Sequence, residues 1–285
     1  MQIAPEILRD RTIGSILLDA GKLSTDKVTQ VLEQQKNSGL SFGETAIQLG
    51  MVAREDVQHA LAQQYDYAYL PKNNSAVSPD LLAAYAPFSD TVEALRATRT
   101  QLMQKRFTGP SDKKSLAIVS PATGEGKSFI AANLAIVFSH LGKRTLLIDA
   151  NMRTPSQHRL FKLTNSAGLS SILAGRSNTQ VLQHVASIAN LSVLTAGPTP
   201  PNPQELISRP AFGHLLDSVA AKFEVILIDT PSSSEFADAN ILSAAAGAAV
   251  TVVRKNHTRV EQLHQHLGAI NSAGAETMGL ILNEY

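Results

Sequence analysis

One stretch constrains the fold of this chain more than any other: SLAIVSPATGEGKSFIAANLAIVFSHLGKRTLLID, residues 115–149. LAIVS reads as a short buried strand and SPATGEGKS as a loop. FIAANLAIVFSHLG reads as an amphipathic helix with Gly142 at its C′ position, and RTLLID as a second strand. Strand, glycine loop, helix and strand in that order form a βαβ context, in which backbone N–H groups at a helix N-terminus wrap phosphate. The expected nucleotide-binding residues are Thr123, Gly124, Glu125, Gly126, Lys127, Ser128 and Phe129. Gly124 and Gly126 permit close backbone approach. Lys127 is placed to reach the β- and γ-phosphates, and Ser128 to set its hydroxyl on Mg²⁺. The general pattern begins with glycine where this chain has Pro121.

Further apolar runs follow: LSVLTAG (191–197), EVILIDTP (224–231), AAVTVVR (248–254) and MGLILN (278–283), with helical segments between most of them. This alternation predicts an α/β fold, a P-loop domain with a mainly parallel sheet flanked by helices. Two strands end in aspartate, Asp149 and Asp229. Strand C-termini line the ligand crevice of open α/β sheets, so both are candidates for metal binding and catalysis. An aspartate at a strand end can also simply cap the next turn. Thr258 and Glu261 predict a capping box, and His257 a loop position. His264 and His266 fall on different sides of a helix.

The N-terminal region carries a repeat. TIGSILLDAGKLSTDKVTQVLEQQ (12–35) aligns with SFGETAIQLGMVAREDVQHALAQQ (41–64), every equivalent being 29 positions apart. Gly14 matches Gly43, Gly21 matches Gly50, Val28 matches Val57 and Leu32 matches Leu61. A fixed period of this kind marks duplicated supersecondary units. Each reads as a short helix, a turn at the second glycine and a longer amphipathic helix, with Val28, Val31, Leu32 and Gln35 on one face. Ser24 and Asp26 are candidate caps. Residues 71–88, with three prolines, read as a linker holding a short helical piece. Tyr65, Tyr67 and Tyr69 read as an extended, half-buried segment before it. The expected organisation is a helical repeat domain at 1–70, a linker at 71–88 and a P-loop domain at 89–285.

Composition adds limits. The formal net charge of +1 gives no global field toward nucleic acid or lipid, so no nucleic-acid partner is expected. The absence of cysteine excludes disulfides and thiolate metal sites. No run approaches the length of a membrane span, and the charged start MQIAPEILRDR lacks a signal-peptide core. A cytoplasmic chain, peripheral to the inner membrane through a partner, is the expectation.

The repeat resembles the MshEN-type N-terminal domain of secretion and pilus ATPases, two motifs separated by a short spacer, here KNSGL. That resemblance implies either cyclic di-GMP binding or a protein-docking role. An arginine opens each motif in that family, whereas Thr12 and Ser41 stand here, with Arg11 one residue away. A hydroxyl cannot replace a guanidinium's planar, bidentate contacts.

From Glu93 onward the chain resembles the bacterial tyrosine kinases (BY-kinases), in particular the EpsG type associated with chain-length-determinant proteins of exopolysaccharide synthesis. SPATGEGKS, LLIDANMRTP and VILIDTPSSSEFADA resemble that family's three nucleotide motifs in order. HRLFKLTNSAGLSSILAG and LTAGPTPPNPQEL also look like family segments. The resemblance implies ATP and Mg²⁺ as cofactors, catalytic roles for Lys127, Asp149, Asp229 and Arg153, and metal contacts at Ser128, Asp149 and Asp229. It also implies a membrane chain-length-determinant partner, and a homo-oligomer contacting through Glu93, Arg96 and Arg99. The same three residues can instead form a solvated helical face with an i,i+3 ion pair. Partitioning and cell-division-site ATPases carry an extra lysine where Ala122 stands, which argues against their dimer mechanism.

Two departures bear on activity. The second motif, D-x-D-x-R-x-P in the family, keeps only Asp149, because Asn151 replaces the second carboxylate. An amide can orient a ligand but cannot accept a tyrosine proton. The family's tail of clustered tyrosines is reduced to Tyr285. Two functions stay open: an ATP-dependent protein-tyrosine (auto)kinase, or a nucleotide-gated assembly factor with little kinase activity.

Overall fold

The computed structural model describes residues 12–65, 70–71, 75–108 and 114–284, and the chain divides into two compact units, Met1–Pro71 and Lys72–Tyr285. Arg11, Tyr67, Tyr69 and Tyr285 lie outside the described residues.

In the first unit the repeat folds as helices α1 (Ile13–Asp19), α2 (Thr25–Ser38), α3 (Phe42–Gln48) and α4 (Arg54–Gln64). Gly21 and Gly50 both turn the chain at positive φ, 66° and 65°. Thr12 and Ser41 are N-caps: each hydroxyl accepts the N–H three residues on, and Glu44 returns a bond to the Ser41 N–H. Ser24 holds the N-cap position of α2 without a side-chain bond, so that expected cap is not made, and Asp26 sits in the first turn.

A small core of Ile16, Leu17, Leu23, Val57 and Ala60 closes the unit. Only Val31 of the expected apolar face is fully buried. Leu32 is 46 % exposed, because four short helices offer too little surface to cover a full stripe. Tyr65, expected half-buried, is 74 % exposed at the end of α4.

The other two repeated glycines permit close helix packing. A methyl at Gly43 would lie 2.5 Å from Val57 Cγ1, and one at Gly14 3.2 Å from the Phe42 ring.

The second unit opens with α5 (Leu82–Tyr85) and α6 (Asp90–Leu102), which runs into a π-type turn, Met103–Phe107. β1 (Ser115–Val119), α7 (Lys127–His140), β2 (Thr145–Asp149), α8 (Gln157–Leu160) and α9 (Leu169–Leu173) follow. Next come β3 (Gln183–His184), β4 (Leu191–Leu194), α10 (Pro203–Ile207), α11 (Pro210–Ala220) and β5 (Val225–Asp229). The chain continues through α12 (Asp238–Ala246), β6 (Ala248–Arg254), α13 (Val260–Ser272) and β7 (Glu276–Asn283). The sheet order is β3-β4-β2-β5-β1-β6-β7, and every pairing is parallel except the two-residue edge strand β3. Alternating apolar runs and helices predict this arrangement; β3 is too short to leave a periodic signal.

Helix α7 departs from the expected amphipathic pattern. Every residue from Ile130 to Ser139 is buried. The sheet covers one side and residues 77–107 cover the other. The Ala83 N–H donates to Asn133 Oδ1 at 2.9 Å, Arg99 Nη1 to the Val137 carbonyl at 2.8 Å, and Phe107 meets the Phe138 ring edge-on. The stretch expected as a linker therefore contributes Val77, Leu81, Ala83 and Ala84 as buried packing residues. Its apolar residues cover a helix with no solvent face. Among the described residues no helix is long and apolar enough to cross a membrane.

Gly43→Ala should destabilise the first unit by about 1–3 kcal/mol, because the β-branched Val57 it meets cannot swing aside. Hydrogen exchange across residues 42–64 should rise while β1 and α7 stay protected.

Candidate active site

The loop leaving β1 turns into α7 through Gly124 and Gly126, at φ 79° and 94°. Gly126 is the N-cap, so the free N–H groups of the first turn and the helix dipole face whatever lies at the mouth of the loop. Lys127 is largely buried and reaches back to Ser120 Oγ at 2.9 Å. Burial lowers its pKa, partly offset by the negative charges of Asp229, Glu125 and Glu235.

Asp149 and Asp229 end adjacent parallel strands and are register partners. Both are fully buried. Asp149 Oδ2 accepts the N–H groups of Ser156 and Gln157 at 3.0 and 2.9 Å, and Oδ1 accepts that of Asn151 at 3.2 Å. Burial, and then the charge of Asp229, push the Asp149 carboxyl up to about 8. Burial also raises Asp229, against hydrogen bonds from Gln157 and Ser128 and the Lys127 charge. Gln157 Nε2 donates to Asp229 Oδ2 at 2.7 Å and to the Ser128 carbonyl at 3.1 Å. Asp229 Oδ1, although buried, has no partner among the described residues.

A cavity of about 400 Å³ opens at the phosphate loop, lined in part by Thr123, Lys127, Asn151, Arg153, Pro200 and Phe236. Thr123 Oγ1 lies 2.9 Å from Ser232 Oγ and donates to Glu235 Oε1 at 3.1 Å. Arg153 does not stand with its charge open: it pairs with Asp238 at 3.0 Å and stacks over Phe236 at 3.6 Å. Glu125 turns away from the cavity toward Thr258. Thr258 is consequently not the capping-box residue expected, and α13 starts with Arg259 at its N-cap and no side-chain bond there. Phe129 is half-buried in the first turn of α7.

Asn151 is committed locally. Its Oδ1 accepts the Thr154 N–H at 3.1 Å, and its Nδ2 donates to Thr154 Oγ1 at 3.0 Å. The amide staples the turn that delivers Arg153, which is a reason for asparagine at this position.

Residues 116–285 match the CobQ/CobB/MinD/ParA nucleotide binding domain family. The tyrosine-protein kinase YwqD of Bacillus subtilis is 36% identical over 215 residues, covering 75% of this chain and 90% of that protein. The chain belongs to the bacterial tyrosine-protein kinases. The putative tyrosine-protein kinase CapB of Staphylococcus aureus is 33% identical over 216 residues, covering 75% of this kinase and 93% of that protein. The solved kinase domain of the Escherichia coli tyrosine kinase ETK superposes with a TM-score of 0.70 at 29% identity, covering 76% of this chain and 89% of that one.

Gln157 is the main site residue missed in the sequence. It stands in a four-residue helix, too short for any period, and only the fold brings it against Asp229. His264 is exposed and His266 buried, as expected from their spacing. His266 lies 2.6 Å from Ser233 Oγ and 3.2 Å from Thr251 Oγ1, and burial lowers its pKa to about 4.

Gln157→Leu keeps the volume but strips Asp229 of a donor, so turnover should fall about tenfold. Steady-state kinetics should show this in kcat more than in KM for ATP. The His266 pKa is depressed below its unfolded value, so between pH 6.5 and about 4 the unfolded chain binds more protons. His266 therefore contributes stability at neutral pH that is lost as pH falls through that window, by at most about 1.4 kcal/mol per pH unit. Chemical denaturation from pH 7 to 4.5 should show a shallower pH slope in His266→Gln than in the parent.

Proposed function

We propose that this kinase transfers the γ-phosphoryl group of ATP to tyrosine hydroxyls, using the mouth of α7 and the Asp149–Asp229 pair. The observation that carries the reading is the unpartnered, buried Oδ1 of Asp229 beside Asp149 and Ser128. A buried carboxylate oxygen without a donor is costly, and a hydrated divalent cation would relieve it. The donor set fits Mg²⁺: hard oxygens only, few protein ligands, and phosphate oxygens to complete the shell. Ser128, Asp149 and Asp229 are the residues that would hold it. When bound, Mg²⁺ supplies charge neutralisation at the β- and γ-phosphate oxygens.

The chain's own residues divide the remaining work. The amides from Gly124 to Ser128 cradle the phosphates, with Thr123 and Phe129 bounding the stretch, and Lys127 neutralises the transferring group. Asp149 is the carboxylate left to accept the tyrosine proton, Asn151 having no basic oxygen to offer. Arg153 borders the acceptor cavity and orients its wall through Phe236 and Asp238. Phosphoryl transfer depends mostly on position and charge, so one missing carboxylate slows turnover without abolishing it.

The acceptor and the wider assembly belong to the same proposal. We read the physiological setting as exopolysaccharide export, with a membrane chain-length-determinant protein as partner. Glu93 is exposed while Arg96 pairs with it at 2.7 Å and Arg99 holds α7, so Glu93 is the member of that trio most open to a neighbouring copy. The first unit is read as a protein-docking module in preference to a cyclic di-GMP receptor, since Thr12 and Ser41 spend their hydroxyls capping helices. The alternative of a nucleotide-gated assembly factor draws on Asn151, whose side chain is fully engaged within its own turn.

With Mg²⁺ and labelled ATP, the intact protein should incorporate phosphate on tyrosine, and Lys127→Ala should abolish incorporation. Asn151→Asp should raise turnover severalfold by restoring the second carboxylate. ATP binding with no labelled tyrosine in parent or N151D would instead establish the assembly factor.

A further inference from the structure

A buried carboxylate within an anion-binding loop needs an explanation. Glu125 is fully buried, yet it lies between the two glycines whose amides are assigned to phosphate. Its side chain does not point at the ligand cavity. Glu125 Oε2 accepts the Ala122 N–H at 2.8 Å, and Oε1 accepts the Thr258 hydroxyl. That hydroxyl already accepts the Arg254 N–H at 2.8 Å, so its single proton is directed to Glu125.

The backbone of the same residues is tied to the same side. Asn283 Nδ2 donates to the Glu125 carbonyl at 3.0 Å, and Arg254 Nη1 approaches the Gly124 carbonyl at 3.4 Å. In a planar trans peptide the C=O and the next N–H point in opposite directions. Holding the carbonyls of Gly124 and Glu125 toward the C-terminal ends of β6 and β7 therefore turns the N–H groups of Glu125 and Gly126 away from that edge. Glycine at 124 and 126 leaves these peptide planes free to rotate, so an external tie is what selects one orientation.

We propose that Thr258 and Asn283 are positioning residues for nucleotide binding: they clamp Glu125 from the β6–β7 edge and so preset the phosphate-loop amides. This rests on the reading of the loop as the ATP phosphate site. Neither residue lines the ligand cavity; each acts through Glu125. Removing the Thr258 hydroxyl leaves a buried carboxylate oxygen short of a donor, and the loop must rearrange to relieve it.

The test uses the full chain and Mg-ATP in isothermal titration, with steady-state tyrosine phosphorylation alongside. Thr258→Val should weaken ATP binding about tenfold and raise KM for ATP by a similar factor, with kcat changed less. Thr258→Ser, which keeps the hydroxyl, should restore affinity to within about twofold. Asn283→Leu should weaken binding in the same direction. Thermal unfolding without nucleotide separates this from general damage. Affinity lost in step with stability, and not restored by serine, would overturn the clamp, as would equal affinities in parent, valine and serine forms. If the parent itself bound no Mg-ATP, the phosphate-site reading would fail, and the clamp with it.

Discussion

Asp149 and Asp229 stand side by side on adjacent parallel strands, neither reaching solvent. Neighbouring strands run about 5 Å apart, so ionising both carboxyls at matched positions is strongly disfavoured in a dry interior, and Asp149 is pushed up to about 8. The surrounding structure answers that cost piece by piece. The turn after β2 folds back to bring the N–H groups of residues 151, 156 and 157 onto Asp149. The side chain of Gln157 crosses to Asp229, and Lys127 lends its charge. One oxygen, Asp229 Oδ1, is left without a partner among the described residues. The pair is thus a charge-storing element that the fold keeps incompletely satisfied, which is where function usually overrides stability.

The loop between β1 and α7 is held from two directions. β1 lies between β5 and β6 in the sheet. On the β5 side stand the carboxylates, Gln157 and the cavity. On the β6 side stand Arg254, Thr258 and Asn283, which touch the loop through Glu125 and Gly124. Two glycines give the loop its tight path but no rigidity of their own. Rigidity comes from neighbours remote in sequence.

How far the sequence reveals this depends on the range of the signal. Strands β1, β2, β5 and β6 are legible because buried parallel strands are short, continuous apolar runs, and Gly142 and Gly50 mark the ends of α7 and α3 by composition. The phosphate loop and the two strand-end aspartates are legible because motif and element coincide. Contacts between distant segments are not. Gln157 sits in too short a helix, and Thr258 mimics a capping box because its spacing to Glu261 is right while its hydroxyl is claimed by Glu125 of the β1–α7 loop. Helix α7 misleads for a related reason: periodicity assumes one solvent face, and this helix has none. Residues 77–84, polar and proline-containing in part, look like tether and serve as its cover.

The strand order carries a consequence for how the chain is made. β1 and β2 are joined by α7 but do not touch; β5 lies between them. A nascent chain that has released α7 already holds residues 77–107, which cover one side of that helix, but not the finished sheet that receives the other. The gap closes only when residues 225–229 arrive from far downstream and insert between the first two strands. Such long-range closure is slow, and the half-built intermediate exposes unpaired strand edges and greasy helix flanks. Demand for chaperone protection should therefore peak midway through synthesis, while the ribosome is translating the region between β2 and β5.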